Sequence, residues 1–291
     1  MVNPAAGAGR TAARWPLIRD TLTQLRFSFE HVETRGAGDA RRLAADAAGR
    51  SVPLVVAVGG DGTFNEVVNG VTGEDGRPRA TVGAVMTGRG RDACRNLGLL
   101  RDPRDAARRL AEGREARRDL GLARWPAGSR YFVNAAGAGF DATVAARAAR
   151  FGGGGTLPYL RAVLETLRAY RPVEIAVEME GAGEWRGPAA GIVAGNGACF
   201  GGGMRIAPGA DPADGALDLV RLGPFGRAEL LAWLPTIYWG GHLRSAKVAL
   251  ARVTRARISA PIPLPVQLDG EVCGATPLEV SVCAGALRLR L

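Results

Sequence analysis

The hydrophobic pattern of the chain changes in character along its length. In the first part, the short apolar runs Leu54–Val58 and Thr81–Val85 do not alternate with polar residues, and each leads into glycines and then into a helical pattern. Such runs are typical of parallel strands that are covered on both faces. In the second part, Val173–Met179 and the closing residues 286–291 alternate apolar with charged residues. This alternation predicts half-exposed strands.

The change of pattern predicts two domains. An α/β domain with a parallel sheet is expected over residues 1–122, and a β-rich, sandwich-like domain is expected over residues 123–291. Within the second domain, the glycines at positions 152–155 predict a flexible stretch.

The composition is that of a globular protein with a sizeable core. The chain has 291 residues, of which 47% are hydrophobic and 23% charged. It has no apolar run of about 18 residues and no apolar leader at its amino terminus, so a cytoplasmic location is expected. Its four cysteines are scattered without paired spacing. They are predicted to be reduced core residues, which favours neither a zinc site nor a disulfide framework.

The formal net charge of +10 predicts a polyanionic partner. The densest arginine run, residues 101–118, begins with Asp102 and Pro103 and carries apolar residues at helical spacing, so a capped surface helix is predicted. No aromatic residues interleave these arginines to stack on bases, and nucleic acid is therefore not expected as a partner. An anionic membrane surface stays open as the partner.

The stretch Leu54–Gly70 carries the clearest chemical signal. It reads as a strand, a turn with Gly59, Gly60 and Gly62, and a helix. Glycines let the backbone approach a ligand closely, and the free amide groups at a helix start attract an anion. Asp61 lies among these glycines, and a carboxylate beside a bound phosphate usually indicates a bridging Mg²⁺. The stretch predicts a metal-and-phosphate site, although a glycine-rich turn can also be purely structural.

The string GGDGTFNEVVNG, residues 59–70, resembles the nucleotide-binding signature of the diacylglycerol kinase catalytic superfamily, which includes bacterial lipid kinases and sphingosine kinases. NAD kinases and phosphofructokinases share its GGDG core, so this string alone does not choose among them. Residues 195–219, GNGACFGGGMRIAPGADPADGALDL, resemble a second lipid kinase segment that NAD kinases lack. The resemblance therefore favours a lipid kinase with its active site in the cleft between two domains.

The first residues also resemble the family. Residues 3–7 are similar to its NPxSG segment, with Ala6 in place of the serine. A strand precedes this motif in the family, and here the first strand is expected to be truncated. Phe27 and Phe29 predict a second strand that ends near Thr34, a residue type that lies by the nucleotide in the family.

The resemblance implies that the chain binds ATP with Mg²⁺. The ATP-binding residues it implies are Asn3, Pro4, Ala5, Ala6, Gly7, Thr34, Gly60, Asp61, Gly62, Thr63, Phe64, Asn65, Glu66 and Arg89. Three aspartates, Asp61, Asp92 and Asp119, are expected to converge and organise Mg²⁺. A structural Mg²⁺ is implied at Asp214 with the carbonyl groups of Asp211 and Ala216. The alternative for Asp214 and Gly215 is a type I′ turn between strands.

Arg89 and Arg91 depart from the family, which has a threonine and an asparagine at these positions of the second glycine turn, residues 86–92. Guanidinium groups there either contact phosphate or pair with aspartates and displace Mg²⁺. Because the acidic residues of the motifs are all present, an active enzyme with an altered phosphate contact is the favoured interpretation.

Gln267–Glu271 is the last stretch with candidate chemistry. The matching residues of lipid kinases supply a general base, so the resemblance implies that Glu271, with Asp269 beside it and Asp61 at the nucleotide, carries the catalysis. The alternative is a plain hairpin turn. The apolar and aromatic residues 230–239 either border a lipid pocket or form a core helix, and His242 is expected to be structural.

The sequence thus predicts an ATP- and Mg²⁺-dependent lipid kinase that acts on a lipid hydroxyl at an anionic membrane surface, to which it binds peripherally. Diacylglycerol, a sphingoid base and another long-chain alcohol all remain open as the lipid. The alternatives are a catalytically impaired nucleotide- or lipid-binding module and a kinase of soluble metabolites. The sequence also leaves open whether the protein forms a homodimer.

Overall fold

The computed structural model of the protein describes residues 1–151 and 156–291, with only the backbone helix described over 156–160. The predicted flexible stretch at 152–155 lies outside the described residues. The chain forms two compact units. Unit 1 comprises residues 1–120, 212–214 and 283–291, and unit 2 comprises residues 121–211 and 215–282. The sequence predicted that two separately folding domains meet between residues 122 and 123. That boundary stays a prediction.

The helices and strands follow the predicted patterns. The α-helices of the described residues are α1 (Arg10–Gln24), α2 (Asp39–Gly49), α3 (Asp61–Val71), α4 (Asp92–Leu97), α5 (Pro103–Glu112), α6 (Phe140–Arg150), α7 (Thr156–Ala169) and α8 (Arg227–Trp233), with 3₁₀ helices at Leu234–Trp239 and Gly241–Arg244. The strands are β1 (Leu54–Gly59), β2 (Thr81–Met86), β3 (Glu115–Trp125), β4 (Gly128–Phe132), β5 (Ala135–Gly139), β6 (Val173–Met179), β7 (Gly183–Ala189), β8 (Gly191–Gly195), β9 (Leu217–Leu222), β10 (Val248–Val253), β11 (Arg255–Ser259), β12 (Pro265–Leu268), β13 (Glu271–Ala275) and β14 (Leu278–Arg290).

Unit 1 is built on parallel strands. β1 and β2 pair in parallel from Leu54 opposite Thr81 to Gly59 opposite Met86, and Leu289 at the end of β14 pairs in parallel with Val82. Val2 forms single parallel bridges to Val58 and to Glu33. Val2 thus lies between β1 and the segment around Glu33.

The predicted strand from Phe27 to Thr34 is wrong. The chain there is extended but makes only the single bridge at Glu33. The Val2 amide donates to the Val32 carbonyl at 2.8 Å, and the Thr34 amide donates to the Val2 carbonyl at 2.9 Å. Phe27 and Phe29 instead pack against the core of unit 1 as partly buried side chains.

Helices pack against this sheet through their apolar faces. The arginine-rich helix α5 starts as predicted: Asp102 accepts hydrogen bonds from the amides of Arg104 and Asp105, at 2.8 and 3.2 Å, and Pro103 occupies the first helical position. Ala106, Ala107 and Leu110 are buried, while the arginines face outward. The prediction of a capped surface helix is confirmed for residues 103–112, whereas residues 115–118 of the same arginine run belong to strand β3.

Unit 2 is an antiparallel sandwich. One sheet has the order β10-β9-β8-β5-β12-β13. The facing layer pairs β7 with β6, β6 with β11, and β11 with residues 278–281 of β14. Buried aliphatic residues of both layers, including Ile192, Leu219, Ile258 and Val280, form one core. The predicted fold, an α/β part with a parallel sheet and a β-rich sandwich-like part, is confirmed.

Two other predictions concern the whole chain. The four cysteines form no disulfide within the described residues. Cys94 and Cys199 are buried, as predicted for core residues, whereas Cys273 and Cys283 are half-buried. Among the described residues, no helix combines the length and hydropathy that crossing a bilayer requires.

Candidate active site

Three loops of unit 1 meet at the carboxyl ends of β1 and β2. They are residues 3–9, 59–62 and 87–91, called here the three-loop cluster. The Thr87 amide donates to the Gly59 carbonyl at 2.7 Å, and the buried Thr11 and Thr87 hydroxyl groups lie 2.5 Å apart. The Asn3 side-chain amide donates to Thr63 Oγ1 at 2.9 Å. The predicted segment 3–7 therefore lies against the predicted segment 60–66.

Glycines make this approach possible. A Cβ on Gly88 would lie 2.7 Å from the Cα of Gly60, and one on Gly7 would lie 3.1 Å from the Thr87 carbonyl oxygen. Gly7 also has a φ of +66°, a conformation that favours glycine. The cluster presents backbone rather than side chains, beside the start of α3, whose first amides have no partner within the helix. This arrangement suits a polyphosphate.

The Asp61 carboxylate connects loop 59–62 to loop 87–91 by hydrogen bonds. Its Oδ2 accepts from the Arg91 amide at 2.7 Å and its Oδ1 from the Ala93 amide at 3.0 Å. Burial, followed by the negative charge of Asp61, raises the pKa of the neighbouring Cys94 thiol to about 11. Asp61 therefore holds the second glycine turn in place, a role that the sequence did not predict.

Asp92 lies on the same turn. A Cβ on Gly90 would be 2.8 Å from Asp61 Oδ2 and 4.0 Å from Asp92 Oδ2, so the two carboxylates flank one glycine. Asp92 is buried and pairs with Arg95 at 2.9 Å. Mg²⁺ usually takes one or two protein carboxylates together with phosphate oxygens and waters. Asp61 and Asp92 are the residues here that would hold such a metal, and a Mg²⁺ bound to them stays a prediction.

Asp119 is bound elsewhere in unit 1. Its Oδ1 accepts from the Gly285 amide at 2.7 Å, and its own amide donates to the Pro212 carbonyl at 2.7 Å. In the parts of the chain that the structure describes, no three His, Cys, Asp or Glu side chains are grouped closely enough to hold a metal ion. The structure therefore does not bring Asp61, Asp92 and Asp119 together, and their Mg²⁺ roles stay predictions.

Several other predicted nucleotide residues have structural partners. The carboxylate of Glu66 accepts from the amides of Gly38 and Ala40 at the start of α2, at 2.9 and 3.1 Å. Phe64 is fully buried in the core, and Asn65 accepts from Asn69. Glu66 thus holds α3 against α2, while the Asn65–Asn69 hydrogen bond lies within α3. A contact of these residues with a nucleotide stays a prediction.

The two arginines of the second glycine turn differ in environment. Arg89 is exposed, whereas Arg91 is half-buried and donates from Nε to the Gly88 carbonyl at 3.2 Å. Arg91 has a φ of +56°, in the left-handed region that asparagine and glycine tolerate best. The asparagine of the family therefore suits this backbone better than the arginine present here.

The predicted structural metal site lies at residues 211–216. Asp211 and Asp214 are exposed, and Gly215 has a φ of +73°. Only Gly215 of the Asp-Gly pair has a positive φ, and no strand directly precedes the pair, so the alternative of a type I′ hairpin turn is wrong. A Mg²⁺ at Asp214, with the carbonyl groups of Asp211 and Ala216, stays a prediction.

In unit 2, Asp269 and Gly270 form a two-residue hairpin turn between β12 and β13, with φ values of +50° and +90°. The alternative interpretation as a hairpin is therefore correct for the backbone. Asp269 Oδ2 accepts from the Val133 amide at 2.9 Å, and Oδ1 accepts from the amides of Asn134 and Ala135 at 2.8 and 3.0 Å. Asp269 thus anchors the turn to the start of β5.

Glu271 follows this anchored turn with its side chain about half exposed. Its Oε2 lies 2.7 Å from Nη1 of Arg130 on β4. This cation holds the carboxylate in one position. The structure therefore presents Glu271 as an oriented carboxylate at the surface of unit 2.

Gln267 links the turn to Asp141, whose residue surface is partly exposed. Its Oε1 accepts from the Gly270 amide at 2.7 Å, and its Nε2 donates to Asp141 Oδ2 at 3.0 Å. Asp141 lies in the first turn of α6, and a Cβ on Gly137 would collide with its carboxylate. Burial raises the pKa of Asp141 to about 6, against the opposing effect of the Gln267 hydrogen bond.

Asp141 also lines an apolar cavity of about 560 Å³ within unit 2. The cavity wall combines α6, α8 and the first 3₁₀ helix with strands of the sandwich, through residues such as Phe140, Val193, Phe225, Leu230 and Ile237. The predicted apolar cluster at 230–239 therefore borders a cavity, while Leu230 and Ile237 also belong to the cores around it.

Sequence reasoning missed Thr11, Thr87, Arg130, Asp141 and Gln267. Each lies far along the chain from its partner, and no short motif connects them. The glutamine directly before the Leu-Asp-Gly turn was the one available signal, because a long amide at a turn can hydrogen-bond the turn backbone.

Comparisons with known proteins identify the family of the chain. The family model of the diacylglycerol kinase catalytic domain matches residues 1–123, and that of the YegS C-terminal NAD kinase beta sandwich-like domain matches residues 134–291. A diacylglycerol kinase of Mycobacterium tuberculosis is 31% identical over 294 residues, which cover 99% of this chain and 93% of the relative. One of Bacillus subtilis is 29% identical over 283 residues, which cover 95% and 90%.

The fold also matches a solved structure. The crystal structure of a diacylglycerol kinase from Bacillus anthracis strain Sterne superposes with a TM-score of 0.75 at 21% identity, over 99% of this chain and 94% of that chain. At that identity the likeness concerns the fold alone. Since the two family models together match nearly the whole chain, and a relative 31% identical spans it, the chain belongs to the diacylglycerol kinase family of lipid kinases.

Proposed function

We propose that the protein transfers the γ-phosphoryl group of ATP, as Mg·ATP, to the hydroxyl group of a lipid such as diacylglycerol. The observation that carries this proposal is in unit 2, where Gln267 joins the wall of an apolar cavity, through Asp141, to the turn that bears Glu271. In this proposal, the cavity of unit 2 binds the lipid chain, and Glu271 of the same unit removes the proton.

In this proposal, the three-loop cluster binds the phosphate donor, ATP. Its backbone amides and the start of α3 bind the phosphates, and the exposed Arg89 adds a cation at the edge. Asp61 and Asp92 hold the metal, which would neutralise charge on the transferring group. Asp61 has a second task, because it positions the turn that contains Arg89.

In this proposal, Glu271 activates the acceptor, the lipid hydroxyl group. In this role the carboxylate accepts the proton of the lipid hydroxyl as the oxygen attacks phosphorus. Arg130 orients the carboxylate, and Asp269 fixes the backbone of the turn.

The membrane provides the lipid. Leu231, Tyr238 and Trp239 line the cavity and are 52%, 54% and 65% exposed, so they form an apolar rim. The segments 199–210 and 230–250, which supply part of the cavity wall, also contain Arg205 and Arg244. Lys247 of the second segment is paired with Glu229 at 2.6 Å. An apolar rim with nearby cations suits reversible docking on an anionic bilayer.

The test is incubation of the protein with labelled ATP, Mg²⁺ and a total lipid extract, followed by identification of any labelled lipid. A labelled product that retains both acyl chains and gains one phosphate is expected. Labelling of water-soluble metabolites alone would support the alternative of a soluble-metabolite kinase, and ATP binding without turnover would support a binding module.

A further inference from the structure

The second glycine turn carries a cation that no carboxylate neutralises. Arg91 is half-buried, and its Nε donates to the Gly88 carbonyl oxygen at 3.2 Å. Within residues 1–151 and 156–291, its Nη1 and Nη2 atoms make no hydrogen bond or ion pair. A guanidinium group has five N–H donors. The hydrogen bond from Nε therefore holds the group in place and leaves its other donors available to a ligand.

The two aspartates of this region already have other partners. Both carboxylate oxygens of Asp61 accept hydrogen bonds from backbone amides. The carboxylate of Asp92 pairs with Arg95 at 2.9 Å. The sequence left open whether the arginines of the turn contact phosphate or pair with these aspartates. For the guanidinium of Arg91, no such ion pair is formed.

The backbone of Arg91 gives no reason for an arginine. Its φ of +56° and ψ of +33° lie in the left-handed region, where a side chain costs free energy and asparagine or glycine is tolerated best. A strained backbone at a candidate site supports the hypothesis that the residue has a function. At Arg91 that function belongs to the side chain, because the backbone alone favours asparagine.

The anchor of the guanidinium group lies where the three loops meet. A Cβ on Gly88 would be 2.7 Å from the Cα of Gly60, and a Cβ on Gly7 would be 3.6 Å from the Cα of Gly88. The cation is therefore held beside the glycine backbone that suits a polyphosphate. Guanidinium groups bind phosphate oxygens through pairs of N–H donors, with more geometric specificity than an ammonium group.

We infer that Arg91 binds the nucleotide phosphates in the three-loop cluster and lets the protein bind ATP and ADP without Mg²⁺. This inference rests on the proposed function and deepens it, because it names a specificity-determining residue for the polyphosphate. The guanidinium supplies positive charge that a bound metal would otherwise bring to the phosphates. Mg²⁺ is then required for phosphoryl transfer but not for nucleotide binding.

The experiment is isothermal titration calorimetry of the full-length protein with ATP, ADP or adenosine in excess EDTA. The wild type should bind ATP and ADP more tightly than adenosine. Arg91→Asn should weaken the binding of ATP and ADP about tenfold, the effect of one charge-assisted hydrogen bond, and should leave the binding of adenosine unchanged. In excess Mg²⁺ the difference between the two proteins should shrink, because the metal then neutralises part of the phosphate charge.

Two further variants separate the side chain from the backbone. Arg26 is exposed, lies outside the three-loop cluster in unit 1 and has a φ of +54°. Arg26→Asn is therefore the matched control, and it should leave nucleotide binding intact. Arg91→Lys retains the charge without the planar fork, so it should recover part of the affinity. The ratio of ATP to adenosine affinity is measured on one protein, so a shared loss of stability does not imitate the effect.

The outcomes separate this inference from the proposed function. If Arg91→Asn binds ATP in EDTA as tightly as the wild type, or if Arg26→Asn loses as much affinity, the inference is overturned. If the wild type binds ATP only with Mg²⁺ and phosphorylates a lipid, the inference is wrong while the kinase function stands. If Arg91-dependent binding occurs in EDTA but no lipid is ever phosphorylated, the inference stands and the proposed kinase function fails. If no nucleotide binds with or without Mg²⁺, both fail.

Discussion

Arg130 and Glu271 form an ion pair, with Nη1 and Oε2 2.7 Å apart, between strand β4 and the start of strand β13. The arginine side chain is largely buried and the glutamate is half exposed. The buried arginine therefore fixes the position of the carboxylate, which faces solvent. This geometry underlies the first prediction.

Glu271→Gln is expected to lower turnover by about 10²–10⁴-fold, because the amide cannot accept the proton of the lipid hydroxyl. Its fold should persist, since the half-exposed ion pair contributes at most about 1 kcal/mol. Steady-state kinetics with lipid in mixed micelles, together with the thermal midpoint, measure both. Glu279→Gln is the matched control, because Glu279 also pairs with arginines on unit 2. Turnover near that of the wild type in a folded Glu271→Gln protein would refute the role of this residue.

Asp61→Asn is expected to lower turnover by about 10²-fold or more, because a metal-organising charge is lost. It should also destabilise unit 1 by about 1–3 kcal/mol, since the amide replaces an acceptor of two backbone hydrogen bonds. Kinetics and urea unfolding are the measurements. Asp46→Asn, which breaks an exposed ion pair with Arg42, should change neither greatly. Full activity of Asp61→Asn with ordinary Mg²⁺ dependence would rule out the metal role.

Arg89→Ala is expected to raise the KM for Mg·ATP about two- to fivefold, and added salt should shrink the difference, because Arg89 is an exposed cation of the three-loop cluster. Arg50→Ala, on another exposed arginine of unit 1, is the control. A lower KM in Arg89→Ala would indicate instead that the guanidinium competes with Mg²⁺ for the carboxylates.

Trp239→Ala is expected to weaken binding to anionic vesicles about tenfold, because Trp239 is the most exposed residue of the apolar rim. Sedimentation with vesicles at low and high salt measures this, and high salt should weaken the binding of the wild type. Ile262→Ala is the control, since Ile262 is 74% exposed but does not line the cavity. Equal effects of the two substitutions would speak against docking through the rim.

Asp141→Asn is expected to stabilise the protein more at pH 7.5 than at pH 4. Burial raises the pKa of Asp141 from 3.8 to about 6, so the folded protein holds a proton between these values that the unfolded chain releases. The contribution of Asp141 to stability is therefore lost as pH rises through about 6, by up to about 3 kcal/mol at 1.36 kcal/mol per pKa unit. Urea unfolding of both proteins at the two pH values measures this, and an identical difference at both would contradict it.

The sequence by itself determined the element types and the family. Strand β1, the glycine turn and helix α3 follow from local patterns: a covered parallel strand must be apolar throughout, and a close backbone approach requires glycines. The cap of α5 and the alternation of β6 are likewise local, so a few neighbouring residues suffice to predict them. The motif strings then identified the family, because their residues and order are specific.

Only the tertiary structure decided what these residues contact. Asp61, Glu66 and Asp269 look alike as candidate ligands in the sequence, yet their carboxylates bind backbone amides between 26 and 136 residues away. The link from Asp141 through Gln267 to the Asp269–Gly270 turn also joins segments that are distant along the chain. The placement of the active site between the two domains stays a prediction. Such contacts depend on how strands and helices pack, and packing is set by shape and burial across the whole fold rather than by any local pattern.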